Sequence, residues 1–362
     1  MTESAAMTPA MLRRHPDHTV LTLVHDGPAD AVYLEQRYGI AAQESRFLET
    51  SPEHWELNLE LAPVDRLEYK ITAQHGSDDY ETMIDPHADE ICPTAFGDIG
   101  VLHSADYQQP AWLGDFGIDW TSEQTSVTRQ GLGADVPIEV LSPPTLAAPE
   151  AAPLLLAHDG AEMVRLAGLL QYAAAHQSVL GPFRLGLLSP VNRDDWYAAN
   201  DIYADALAGD IIPAIEAIAP MHGRPVALGA SLGALSFAHA QRRHPELFSA
   251  MALQSGSFFT AKTDEHERKY QMWDRVRRAV GELTNSSRVS PPIPVAFSCG
   301  VAEENLHNNE LIQRVFRRQG YDVSWDVFAD AHNFVGWRDA WSASLTPLLS
   351  KAFQAMKASA HA

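Results

Sequence analysis

The stretch PVALGASLGALSFAHA, Pro225 to Ala240, narrows the choice of folds more than any other part of the chain. A lone serine stands between two glycines, with an apolar run directly before it and a helix-forming, Ala- and Leu-rich run directly after. The first run predicts a buried strand and the second a helix, so Ser231 marks a strand-to-helix turn. In so tight a turn the serine backbone is strained. The positions two before and two after must be small, because strand and helix approach closely there. Gly229 and Gly233 meet that demand. The same geometry lifts the Ser231 hydroxyl out of the carboxyl edge of a sheet. It also aims the Leu232 backbone N–H, at the start of the helix, toward a developing negative charge.

The surrounding sequence supplies the sheet that this turn needs. Apolar runs such as APLLLAHDG, FRLGLLSPV, RPVALGAS, FSAMALQSG and PIPVAFSCG alternate with longer helical segments, as buried parallel strands with crossover helices do. This part predicts a doubly wound α/β sheet. From His18 to about Lys70 the pattern is instead short and alternating: in WELNLEL, residues Trp55, Leu57, Leu59 and Leu61 share one face. That period of two predicts an antiparallel β-sandwich. Proline and glycine punctuate DPHADEICPTAFGDIG, and YQQPAWLGDFGID lacks periodicity, which puts a linker near residues 105–122. The expected organisation is a sandwich over residues 1–112 and an α/β domain over 113–362, consistent with a chain longer than one core comfortably fills. GLGADV at 131–136 lacks the spacing and the following helix of a phosphate-cradling loop.

Charge and composition limit the partners. With 26 basic and 47 acidic residues the net charge is -21, which repels nucleic acid phosphates and anionic lipid. No window approaches the ~18 consecutive apolar residues of a membrane span, so neither nucleic acid nor membrane is expected as a partner. The beginning, MTESAAMTPAMLRRHPDHTV, carries charge and proline where a secretory signal needs an apolar core. That predicts a cytoplasmic location. Cys92 and Cys299 are too few for a disulfide framework and read as reduced structural thiols.

If Ser231 is a nucleophile, an acid and then a histidine should follow it, each at the end of a later strand. PIPVAFSCG ends at Gly300, and VAEEN then offers Glu303 and Glu304. After a helix near Asn309 to Gln319, the strand DVSWDVF leads into ADAHNFVGW. Of 16 histidines, His332 is the one just past the last expected strand with a helix-like segment to follow. A carboxylate must hold that imidazole in the correct tautomer and stabilise the imidazolium; Glu303 is preferred over Glu304. A second oxyanion N–H comes from the loop in LLLAHDGAEM, at Gly160 or Ala161. His158 and Asp159 precede the serine and read as orienting that loop. No metal or organic cofactor is needed for this chemistry.

With these residues in place, the chain resembles the esterase D-type α/β-hydrolases, most closely the enterochelin (enterobactin) esterase group. LLLAHDG resembles the strand and Asp-Gly oxyanion loop of that group, and GASLGALSFAHAQRRHPELFSAMALQSGSFF its nucleophile elbow and following strand. RDDWYAANDIYADALAGDIIPAIEAI resembles its segment with an Arg, an Asn and a helix ending near proline. CGVAEENLHNNELIQRVFRRQGYDVSWDVFADAHNFVGWRDA resembles its acid-to-histidine segment, including Trp337 and Arg338. The likeness covers nearly all of residues 125–350. More loosely, RLEYKI, DPHADE, FGDIGVL and PAWL resemble the immunoglobulin-like N-terminal module of those esterases.

The resemblance implies an α/β-hydrolase doubly wound sheet preceded by a smaller immunoglobulin-like β-sandwich. It carries Ser231, Glu303 and His332 over as the triad, and Leu232 with Gly160 or Ala161 as oxyanion donors. Arg193, Asn200 and Trp337 become substrate-binding candidates; a salt bridge and a helix cap are equally good readings of the first two. The implied partner is a small-molecule ester, with a ferric siderophore as one candidate. Leu232 and Ala234 stand where many relatives carry aromatic or glycine residues, and no Arg and Lys cluster near the expected site offsets the charge of a trianionic catecholate. Two other readings stay open: acyl transfer to a sugar or lipid hydroxyl, and a ligand-binding protein on an inactive hydrolase scaffold.

Overall fold

The computed structural model describes residues 10–36, 38–114, 119–147, 149–287 and 292–360. The first nine residues, on which the reading of the N-terminus partly rests, lie outside them, as do 115–118 of the expected linker. The chain divides into two compact units. One comprises Met1–Gln109 with two short downstream segments, Gly300–Glu304 and Phe328–Gly336; the other comprises Pro110–Cys299, Asn305–Val327 and Trp337–Ala362.

Among the described residues of the first unit the alternating pattern builds nine strands: β1 (Ala10–Arg14), β2 (Thr19–Asp26), β3 (Ala31–Gln36), β4 (Leu48–Ser51), β5 (His54–Leu61), β6 (Arg66–Gln74), β7 (Tyr80–Met83), β8 (Glu90–Thr94) and β9 (Gly97–His103). They form two antiparallel sheets, ordered β1-β2-β5-β4 and β3-β6-β9-β8 with β7 beside β6. Leu21, Leu23 and Leu57 of one sheet share a core with Val32, Leu67 and Ile71 of the other. On β5 the buried Trp55 and Leu57 alternate with more exposed polar neighbours, as the period of two requires. The stretch DPHADEICPTAFGDIG, punctuated by proline and glycine, holds the β8–β9 hairpin. Pro93 is tolerated there because β8 is an outermost strand, where a missing N–H breaks no ladder on its free side. Val301, Ala302 and Ala331, from the two downstream segments, pack into this same core.

The second unit holds β10 (Thr121–Val127), β11 (Val136–Ser142), β12 (Leu154–His158), β13 (Arg184–Leu188), β14 (Val226–Ala230), β15 (Ala250–Gln254), β16 (Pro294–Gly300) and β17 (Asp322–Phe328). They form one sheet ordered β10-β11-β13-β12-β14-β15-β16-β17. The run from β13 to β16 is parallel, and β10 and β11 close one edge antiparallel. Every residue of β12, β13, β14 and β15 is buried, which is why these strands read as unbroken apolar runs rather than alternating ones. The helices are α1 (Gly160–Ala167), α2 (Leu169–Leu180), α3 (Arg193–Tyr197), α4 (Asp201–Ala206), α5 (Ile212–Ile218), α6 (Leu232–Arg243), α7 (Trp273–Thr284), α8 (Leu306–Gln319), α9 (Phe334–Asp339) and α10 (Leu345–Ala360). The mixed α/β class expected from the sequence is the one observed.

The strand order fixes where chemistry can sit. From β12 the chain builds β13 on one side and then returns to build β14 on the other. At such a reversal the connections diverge and open a crevice outside the carboxyl ends of the strands. The Gly160 loop follows β12 and Ser231 follows β14, so both lie at that switch point. Among the described residues no helix is long and apolar enough to cross a membrane, and no disulfide joins Cys92 to Cys299.

Candidate active site

Ser231 caps the N-terminus of α6 with φ 57° and ψ -126°, a left-handed value that an L-residue adopts only under constraint. The constraint is visible on both sides. Its N–H donates to Gln254 O at 2.9 Å, and its carbonyl accepts from Ser257 N at 3.1 Å. Both glycines sit at close approaches: a Cβ on Gly229 would lie 2.6 Å from the Gly233 carbonyl, which leaves no room for it, and one on Gly233 would lie 3.1 Å from His158 Cβ, which would have to give way. The strained serine thus ends up at the start of an α-helix, where first-turn N–H groups and the macrodipole favour negative charge.

The loop after β12 faces the same requirement. Asp159 has φ 51°, and a Cβ on Gly160 would meet Leu187 Cβ at 2.5 Å, so only glycine fits. Ala161 N–H donates to Ser189 Oγ at 3.3 Å. His158 ties this loop to the serine's helix. Its ring stacks on Phe237 at 3.5 Å with an interplanar angle of 3°, and Nδ1 donates to Gly233 O at 3.0 Å. A carbonyl can only accept, so the proton sits on Nδ1 and Nε2 accepts from Tyr203 Oη at 3.0 Å. Burial pushes the His158 pKa down to about 3, which keeps the ring neutral.

A third loop, after β15, was not singled out in the sequence. Ser257 Oγ stands 3.2 Å from Ser231 Oγ. Buried Ser255 has φ 47° and accepts from Trp337 Nε1 at 2.9 Å. Gln254 spends its amide on Trp337 O, Ser298 Oγ and Trp341 Nε1, while Asn309 holds both polar groups of Gly256. The signal that could have found this loop is the small-residue run Ser255-Gly256-Ser257 directly after an apolar strand, where side chains leave room for backbone hydrogen bonding.

The acid and the histidine come together in the first unit. His332 Nδ1 donates to Glu303 Oε2 at 2.7 Å, and Glu303 Oε1 accepts from Gly300 N at 2.7 Å. The Glu303 side chain is wholly buried, while that of His332 is 31 % exposed. The two loops that carry them are stitched by Val301 N to Phe328 O at 2.9 Å and Ala302 N to Asp330 O at 3.2 Å. Gly300 makes this approach possible, since a Cβ there would lie 2.4 Å from the Asp330 carbonyl oxygen. Glu304 is exposed.

The remaining candidates each have partners within the protein. Arg193 grips Asp159 with two bonds of 2.7 Å, so its charge is directed at the carboxylate of the loop after β12. Asn200 caps α4, accepting from Ile202 N and Tyr203 N and donating to Asp195. Trp337 is buried, with its indole N–H engaged by Ser255. Of the alternatives the sequence left open, the structure has Arg193 in the salt bridge and Asn200 in the helix cap. Among the described residues no group of three or more His, Cys, Asp or Glu is placed to hold a metal ion.

A family model described as "Putative esterase" matches residues 130–352. No curated protein sequence matches the chain. Among solved structures, the ferric enterobactin esterase of Salmonella typhimurium superposes with a TM-score of 0.75 at 17 % identity, covering 97 % of this chain and 98 % of that one. The enterobactin esterase of Shigella flexneri, solved in the presence of enterobactin, gives 0.74 at 15 % identity over 96 % and 97 %. A ferulic acid esterase gives 0.52 at 14 % identity, covering 65 % of this chain and 99 % of that one. At these identities the structural likeness speaks to the fold.

Proposed function

Because the chain belongs to the Esterase family of carboxylic ester hydrolases, we propose that it is a serine esterase in which Ser231 is the nucleophile, His332 the base and Glu303 the acid. The observation that carries this reading is the 2.7 Å bond from His332 Nδ1 to the buried Glu303. It fixes the proton on Nδ1 and leaves the Nε2 lone pair to act. Supporting it is the strained Ser231 at the end of β14, in the same sheet whose β16 and β17 lead to the acid and the histidine.

In this reading Ser231 Oγ attacks the ester carbonyl carbon and its proton passes to His332 Nε2. The Leu232 N–H and the Gly160 N–H hold the oxyanion; Gly160 is favoured over Ala161 because the Ala161 N–H already donates to Ser189. Collapse expels the alcohol with the proton from His332. Water, deprotonated by the same nitrogen, then releases the acid and restores Ser231. The fold in this account is an α/β-hydrolase domain over residues 113–362, preceded by an immunoglobulin-like module over 1–112. Structural kinship to enterobactin esterases supports a siderophore ester as the substrate class.

Hydrolysis of p-nitrophenyl acetate by the wild type and by Ser231→Ala tests the reaction. The variant should lose at least about 10³-fold in kcat; equal rates in both would remove the catalytic assignment. Competition by iron-loaded and iron-free enterobactin against that hydrolysis tests the substrate class, and no slowing by either would remove the siderophore reading.

A further inference from the structure

Two residues before His332 lies Asp330, a carboxylate 4 % exposed that the hydrolytic chemistry does not use. The first unit's sheets reach it from two places. Tyr38, which follows β3, donates from its hydroxyl to Asp330 Oδ1 at 2.9 Å, and its oxygen accepts from Glu68 N at 3.0 Å. Arg66, the first residue of β6, is 1 % exposed and directs Nη1 at Glu68 at 2.7 Å, with Asp330 Oδ2 and Asn333 Oδ1 each at 3.5 Å. Asp330 Oδ1 also accepts from Ala331 N at 2.7 Å and Asn333 Nδ2 at 2.9 Å, and the Asp65 N–H donates to Ala329 O at 2.8 Å. Every residue from Ala329 to Asn333 is therefore tied down by a named contact or by burial in the first unit's core, His332 through its bond to Glu303.

The energetics argue that this network supplies position rather than stability. Arg66 Nε and Nη2 have no hydrogen-bond partner among the described residues. A buried guanidinium so sparsely partnered carries a desolvation cost that its ion pairs offset only in part, and an apolar residue of similar size would be as stable or more so. Burial likewise pushes the Asp330 carboxyl up to about 6, against the pull of Arg66. What such an arrangement gains is one defined geometry for the loop, and here the loop is the one that carries the imidazole.

We propose that Tyr38 and Arg66 are positioning residues for His332, acting through the Asp330 carboxylate. This rests on the assignment of His332 as the base. The geometry gives each partner a distinct task. The Tyr38 hydroxyl sets the position of Oδ1, and the Arg66 charge keeps the carboxylate ionised and drawn into the first unit.

The test uses the full chain with Tyr38→Phe, Arg66→Met and Arg66→Lys, and Ser231→Ala in parallel. Active sites are counted by fluorophosphonate titration, and the downfield Nδ1–H proton resonance, assigned by its loss in His332→Ala, reports the position of the imidazole. Tyr38→Phe should lower kcat for p-nitrophenyl acetate per titrated site about tenfold with KM within about twofold, the effect of misplacing one catalytic group. Arg66→Met should lower it further, Arg66→Lys should recover part of the loss, and the resonance should move in the first two variants. An unmoved resonance with wild-type kcat per site in Tyr38→Phe and Arg66→Met overturns the proposal, even if their melting temperatures fall. Should Arg66→Met fail to fold, Tyr38→Phe decides alone. If Ser231→Ala hydrolyses as fast as wild type, the esterase reading fails separately, and the resonance by itself decides whether Tyr38 and Arg66 position the ring.

Discussion

His332 Nδ1 and Glu303 Oε2 are 2.7 Å apart, and the carboxylate that accepts this bond is wholly buried. Its other oxygen is held by the Gly300 N–H at 2.7 Å, so neither oxygen can swing away to solvent. The pair thereby selects one imidazole tautomer and one ring orientation, with the proton on Nδ1.

Replacing Glu303 tests that arrangement without removing bulk. Glu303→Gln should lower kcat on p-nitrophenyl acetate by about 10³- to 10⁴-fold, because an amide can hold the ring in the wrong tautomer and cannot stabilise an imidazolium. Glu304→Gln, at the neighbouring exposed position, should stay within about threefold of wild type. Steady-state kinetics on both variants check this, and the reverse ranking would exchange the roles of the two residues.

The glycines around Ser231 should differ in how they tolerate a methyl group. Gly229→Ala forces a Cβ to 2.6 Å from backbone atoms of Gly233, which must move. It should cost about 1–3 kcal/mol in urea denaturation and disable the turn. Gly233→Ala meets the His158 side chain at 3.1 Å, with Asp159 Oδ2 at 3.7 Å, and overpacking of this milder kind should cost less than about 1.5 kcal/mol.

Acid sensitivity should trace in part to His158. Its folded pKa, about 3, lies below the unfolded value of about 6.5, so folding favours the neutral ring. Its contribution is complete above pH ~6.5 and falls by about 1.4 kcal/mol per pH unit as the pH drops from there toward 3. The stability gap between wild type and His158→Gln should therefore shrink as pH falls from 7 to 4. A gap that stays constant over that range would show that His158 is not held neutral.

Much of this was legible along the chain because the demands are local. A glycine two before and two after Ser231 announces a close strand–helix approach, and β12, β13, β14 and β15 betray their burial by having no polar alternation. Arg193 and Asn200 were ambiguous for the same reason: an Arg near an Asp and an Asn before a helix carry no mark of whether a ligand or the protein itself uses them. The structure has the protein using both. Periodicity alone does not show the β8–β9 hairpin, because Pro93 reads as a break unless the strand is known to be an edge. The Tyr38–Asp330 and Arg66–Asp330 contacts join residues 292 and 264 positions apart, and nothing in either neighbourhood encodes so distant a partner. The grouping of Gly300–Glu304 and Phe328–Gly336 with the N-terminal sheets is likewise a tertiary fact.

The most direct test of the account is covalent labelling with a fluorophosphonate followed by peptide mass spectrometry. The account predicts one adduct, on the peptide containing Ser231, absent in Ser231→Ala and formed at least about 100-fold more slowly in His332→Ala. An adduct on another residue, or wild-type labelling in either variant, would contradict it.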